Sequence, residues 1–241
     1  MAIQLNGSSQ YASRTTSLPP FTGYSACGWA RIDADTNAGH GLCGLNNATD
    51  RGIVLLFSSD GTTLDIWNGL ADTTFASSPG MASDFFWAIT AAAAGVNGYW
   101  RGYGTNTFVS ASTTDGTSGT PSRFAVGVYP TGIDSEFLNG RIWNVKCWDR
   151  VLTAAELLVE SFYQRVMYPA SLNFHWPLRN SADTRDLGPN ARPPTFTASP
   201  TTTNEVGLFA PRRRVYVPPA AAAAGGWGPL LGLRNNRLVN V

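Results

Sequence analysis

The hydrophobic pattern changes period once along the chain, between residues 137 and 164 (FLNGRIWNVKCWDRVLTAAELLVESFYQ). In its first half Ile142, Asn144, Lys146 and Trp148 fall on one side and Trp143, Val145 and Cys147 on the other, the period of two of a strand with two distinct faces. After the turn residues Asp149 and Arg150 the spacing becomes helical. Thr153, Ala154, Ala155 and Glu156 match a capping box, and Leu152 and Leu157 occupy the positions of a hydrophobic staple. One short helix near 153–165 is predicted. Elsewhere the pattern is of strands and turns. Residues 2–12 read as a strand, an Asn6-Gly7-Ser8 turn and the start of a second strand. Residues 21–32 alternate with Cys27 and Trp29 on one side, and Trp29 is the expected buried aromatic between two sheets. Residues 52–68 read as a hairpin about Asp60-Gly61, and 85–112, 124–129 and a closing strand near 171–178 complete an all-β chain.

The 241 residues are 43% hydrophobic, enough for a sizeable core in one main domain. Only 14% are charged and the net charge is +1, so the chain lacks the concentrated positive footprint of a nucleic-acid-binding domain. The opening MAIQLNGSSQ has neither the basic start nor the apolar core of a signal peptide, and no apolar run of about 18 residues predicts a membrane span. Cys27, Cys43 and Cys147 are odd in number, and Cys27 and Cys147 sit in strand-like runs, which predicts buried free thiols made in a reducing compartment. From Pro189 the composition shifts to a Pro- and Thr-rich linker with little core to offer, followed by Arg212, Arg213, Arg214, Val215 and Tyr216, an alanine run and an apolar WGPLLGL segment. The domains read as 1–188 and 189–241, the second a linker and C-terminal arm expected to be disordered in an isolated monomer and to order either on its own domain or on a neighbouring subunit.

Several chemistries are tested by spacing. Asp33, Asp35 and Asn37 begin like an EF-hand loop, but Ala38 stands where its glycine is required and Gly44 where its bidentate glutamate is required. His40, Cys43 and Cys27 amount to three zinc ligands without CxxC spacing. His175 reads as a framework histidine with no nucleophile or paired acid near it in sequence. The four glutamates, Glu136, Glu156, Glu160 and Glu205, form no paired-acid strand, Asp134 with Glu136 reads as a solvated turn, and no G-x-S-x-G elbow is present. A non-enzymatic protein without cofactor is expected.

The closing segment, through Phe137, Gly140, Arg141, Ile142, Val145, Trp148, Arg150, Leu152, Thr153 and Glu156, resembles that of laminin-G-like, or concanavalin A-like, jelly-roll domains. Companions stand upstream in the same order: Leu5 to Tyr11, a strand ending at Trp29, Phe86 to Thr90, Gly98 to Gly102 and Phe124 to Tyr129. Trp176, Pro177, Leu178, Asp186 and Leu187 resemble a further piece that opens many relatives; here it either closes the sandwich or begins a truncated second copy. The resemblance implies an all-β, two-sheet antiparallel jelly-roll sandwich with one helix and an extended C-terminal arm. Sugar binding in relatives makes Trp67, Trp100, Tyr103 and Tyr129 candidate stacking platforms, with Asn68 and Asn106 as polar partners. The family's calcium ligands find no matching acidic pair.

The tail resembles those of tailed-bacteriophage structural proteins. The preferred expectation is therefore a virion surface protein made in the host cytoplasm, a capsid decoration or cement protein. It would dock on other virion subunits, and on copies of itself, through Arg212, Arg213, Arg214, Tyr216, Trp227, Leu230, Leu231 and Leu233. The alternative is a carbohydrate-binding tail-fibre or adhesin module recognising a host glycan. Neither nucleic acid nor membrane is an expected partner.

Overall fold

Alternating and fully apolar runs separated by Gly, Pro, Asn and Ser build a chain of strands. The computed structural model describes residues 1–34, 39–47, 52–58, 63–69, 72–114, 120–130, 135–180 and 182–203. Their elements are β1 (Ala2–Asn6), β2 (Tyr11–Arg14), β3 (Gly23–Ile32), β4 (His40–Asn47), β5 (Gly52–Phe57), β6 (Leu64–Trp67), β7 (Asp72–Thr74), β8 (Phe85–Ala92), β9 (Gly95–Gly102), β10 (Val109–Thr113), β11 (Pro121–Val126), β12 (Asn139–Trp148), α1 (Ala154–Glu160), β13 (Leu172–Trp176), β14 (Thr195–Thr197) and β15 (Thr201–Thr203). The first sheet runs β10-β9-β8-β3-β12-β1-β15, with β13 also on β12; the second runs β14-β2-β11-β4-β5-β6-β7. All pairings among the described residues are antiparallel, and together those residues form a two-sheet jelly-roll sandwich. None of the described helices is long and apolar enough to cross a membrane.

Two apolar layers hold it. The main core lies between the sheets, where Phe85, Trp87 and Ile89 of β8 sit beside the small residues Ala26, Gly28 and Ala30 of β3. Gly28 is required there because a Cβ would stand 2.7 Å from Trp87 Cζ2. A second layer covers the outer face of the first sheet, with Cys27, Trp29, Phe86, Trp143 and Trp148 packed under Leu152 and Leu157. β8 is consequently buried on both faces and reads as an apolar run interrupted by Thr90, itself buried.

Trp29 therefore does not lie between the sheets. It is buried on the outer face, stacked on Trp143 at 6.1 Å, and Trp87 fills the place expected of it. The uniform alternation expected of β12 also breaks. Between Trp143 and Lys146 the register against β3 gains one residue, and Asn144 takes a left-handed φ of 52°. Ile142 thus faces the main core while Trp148, six residues on, faces outward. Asparagine tolerates this conformation better than most side chains.

The capping box forms as read: Glu156 N donates to Thr153 Oγ1 at 3.2 Å and Thr153 N to Glu156 Oε2 at 2.8 Å. The helix stops at Glu160 rather than near 165. The carbonyls of Tyr163 and Arg165 turn inward to Lys146 Nζ, which a continuing helix would forbid. β13 pairs antiparallel with β12 and closes the first sheet. Within the stretch read as linker, β14 adds to β2 and β15 to β1, each as a short edge strand.

Candidate functional site

The sequence-proposed aromatics divide between two places. On the outer face of the second sheet, Trp67 meets Tyr129 edge-to-face at 5.5 Å. Asp72 pairs with Trp67 across the strands, and burial, with Asp65 beside it, raises the Asp72 carboxyl. Glu136, read from sequence as part of a solvated turn, is half-buried at a left-handed φ of 52°, its carboxyl raised by burial and then by Asp72. Asp134 lies outside the described residues. Asn68 is buried, and its side-chain amide donates to Thr113 Oγ1 at 2.7 Å, tying β6 to β10.

Trp100 and Tyr103 line a different place, a pocket of about 540 Å³ where the strand ends Arg31, Phe85 and Gly102 meet Asp84. Trp100 is half-buried against the main core, and its indole N–H donates to Ser77 O at 2.8 Å. Tyr103 is 57% exposed. The loop that carries it is fastened from below by Arg101, itself buried on the outer face of the first sheet. Arg101 donates from Nη1 to Thr105 O at 2.6 Å, and from Nε and Nη2 to Ser161 Oγ and O at 2.7 and 3.0 Å. The Tyr103 ring also meets the edge of Trp29 at 6.3 Å. Beside it, the Asp84 carboxylate has no hydrogen-bond partner among the described residues, and burial raises its carboxyl while Arg31 and Arg141 pull it back. Arg31 donates from Nε to Asp33 Oδ1 at 2.6 Å. Asp33, the first residue of the discarded EF-hand pattern, thus belongs to an ion cluster that also takes Arg141 at 3.3 Å. An exposed ring, a carboxylate with no hydrogen-bond partner among the described residues and an arginine line one pocket, the combination that presents an apolar platform beside polar anchors.

A third space, of about 930 Å³, opens over β12 where β1 pairs with its first half and β13 with its second. Trp143, Asn144 and His175 line it together with the 164–166 segment and Arg179. His175 is buried and bonded to Asn144 Oδ1 at 2.8 Å; burial, then Lys146 and Arg179, lower its pKa to about 3, so it is neutral. Beneath lies a wholly buried pair: Lys146 Nζ donates to Glu160 Oε2 at 2.7 Å, while Glu160 Oε1 accepts the backbone amides of Met167 and Tyr168 at 2.7 and 2.8 Å.

Sequence reasoning missed Arg31, Asp84, Arg101 and the Lys146–Glu160 pair. For Lys146 a signal existed, a lysine inside the strand run Val145 to Trp148, but nothing in the pattern named Glu160 as its partner. The three thiols are buried and unpaired, and burial pushes each of them up. Cys27 faces the outer side of the first sheet while Cys43 faces the main core, so they share no site. Among the described residues no three His, Cys, Asp or Glu side chains converge as a metal site. The arm residues Arg212, Arg213, Arg214, Tyr216, Trp227, Leu230, Leu231 and Leu233 lie outside the described residues.

No protein-family model and no curated protein sequence matches the chain. Solved structures do. A candidate carbohydrate-binding protein from Bacteroides ovatus superposes with a TM-score of 0.61 at 13% identity, over 86% of this chain and 61% of that one. The enzymatically active domain of tailspike protein 2 from bacteriophage CBA120 gives 0.54 at 11% identity, over 73% of this chain and 29% of that one. The chain thus spans less than two thirds of either neighbour. The shared fold is the concanavalin A-like, two-sheet jelly roll.

Proposed function

We propose that this chain is a carbohydrate-binding module, without catalysis, that holds a neutral sugar in the pocket between Tyr103 and Asp84. One observation carries the reading: an exposed aromatic ring, held in place from below, stands in the same pocket as a carboxylate with no partner of its own among the described residues. A pyranose presents an apolar C–H face to such a ring, and neighbouring hydroxyls donate to such a carboxylate. Arg31 supplies donors for the remaining sugar oxygens. Among the described residues Asp84 is the single carboxylate in the pocket lining, whereas glycoside hydrolysis uses two, which supports binding without bond cleavage. The likeness to a candidate carbohydrate-binding protein supports the same class.

A glycan array probed with the full chain tests this. Selective binding is expected, reduced at least about tenfold by Tyr103→Ala and by Asp84→Asn, each the loss of one stacking or charged contact, and unchanged by Trp67→Ala. Silence across the array, or binding that survives both pocket substitutions, overturns it.

The likeness to a tailspike supports placing the module on a bacteriophage tail, as an adhesin for a host surface glycan, in preference to the capsid-decoration role that the C-terminal arm alone suggests. Other virion subunits, and further copies of this chain, are its partners in that reading. Locating the protein by immunogold labelling of purified particles tests it: label on the capsid shell refutes the tail position.

A further inference from the structure

The groove over β12 differs in charge from the Asp84 pocket, whose lining sets one carboxylate against one arginine. Among the described residues its lining carries two guanidinium groups, Arg165 and Arg179, and no carboxylate. The chain has 17 basic and 16 acidic residues, so this asymmetry is local rather than compositional. The nearby carboxylates are already engaged. Glu160 faces Lys146 and two backbone amides. Asp186 accepts the backbone amides of His175, Gly188 and Arg192, Asp183 pairs with Arg185, and Asp149 accepts from Asn173. Among the described residues neither Arg165 nor Arg179 has an ion-pair partner. The floor is polar but neutral. Asn144 Nδ2 points to Tyr163 O at 3.5 Å, so its Oδ1 receives the proton on His175 Nε2, and His175 Nδ1 is left as an acceptor. Val166, Leu172 and Leu187 supply apolar wall.

We propose that this groove is a second binding site, one that takes an anionic saccharide. The carboxylate or phosphate of the ligand pairs with Arg165 and Arg179, the sugar body lies against the apolar wall, and its hydroxyls meet Gln164 and His175. Arginine suits this role because its planar fork matches either anion with two parallel hydrogen bonds. About 930 Å³ accommodates an oligosaccharide segment rather than a lone ion. The inference rests on the carbohydrate reading only for the sugar body; the anion preference follows from the groove itself.

Calorimetric titration of the full chain with three probes tests it: a galacturonate trimer, the neutral galactose trimer of the same linkage, and a phosphorylated hexose. At least one anionic probe is expected to bind about tenfold or more tightly than the neutral trimer, and to weaken as salt rises. Arg165→Ala and Arg179→Ala should each weaken it by about fivefold or more, one charge-assisted contact apiece, with the thermal midpoint unchanged. Preference for the galacturonate identifies the anion as carboxylate, and preference for the hexose as phosphate. Equal binding of neutral and anionic probes, no binding of either anionic probe at millimolar concentration, or binding that survives the double arginine variant overturns the proposal. Tyr103→Ala is expected to leave anionic binding intact, so failure at the pocket and failure at the groove are read separately.

Discussion

Replacing Lys146 by methionine removes the one cation that a wholly buried carboxylate faces. Both side chains of the pair are fully enclosed, and Lys146 Nζ donates three bonds, to Glu160 Oε2 at 2.7 Å, Tyr163 O at 2.8 Å and Arg165 O at 3.0 Å. Methionine fills a similar volume, so the loss is electrostatic rather than steric. Glu160 keeps two backbone donors but loses its countercharge, and breaking a buried pair from one side costs about 3–5 kcal/mol. Two inward carbonyls lose a donor as well, at about 1 kcal/mol or more each unless water reaches them. For a domain of this size such a loss lowers the thermal midpoint by on the order of 10 °C. The measurement is urea unfolding of Lys146→Met, Glu160→Gln and the double variant. In the double variant the glutamine carbonyl still accepts from Met167 and Tyr168 and no charge is buried, so it should be more stable than either single variant. A Lys146→Met loss below about 1 kcal/mol, or additive losses in the double variant, would refute the view that a charge pair shapes the 161–168 segment.

The buried imidazole of His175 makes stability depend on pH. Its pKa is about 3 in the folded chain against 6.5 in the unfolded one, so the unfolded chain takes up a proton first as pH falls. Stability is full above pH 6.5 and is lost between there and about 3, with a slope approaching about 1.4 kcal/mol per pH unit; His175→Gln should flatten that part of an unfolding-versus-pH curve. Gly28→Ala places a methyl group 2.7 Å from Trp87 Cζ2 and is expected to cost about 1–3 kcal/mol in chemical denaturation, whereas a neutral outcome means that the indole shifts freely. Thr153→Ala removes the acceptor for Glu156 N and should cost about 1 kcal/mol by the same measurement, and helix loss by circular dichroism should accompany it.

Local chemistry was legible in the sequence. Thr153 and Glu156 announce a helix start because a capping box closes within four residues, alternation in β3 and β6 announces strands because period two is a property of the backbone itself, and β5 is announced by a short apolar run. The order of those signals suffices for the jelly-roll class. Which face each residue meets was decided elsewhere. Trp29 alternates as a core residue would, but the first sheet is covered on both sides, so alternation alone cannot tell inner face from outer. The bulge at Asn144 reverses the remainder of β12, and its extra residue becomes visible only against the register of β3. The candidate sites lie furthest from the sequence. Tyr103 and Asp84 share a pocket because β8 and β9 pair as neighbours, and Arg165 and Arg179 share a groove because the turn after α1 and the end of β13 converge on β12. Charge and burial act through space, and a linear chain carries no record of distance between residues until its strands have paired.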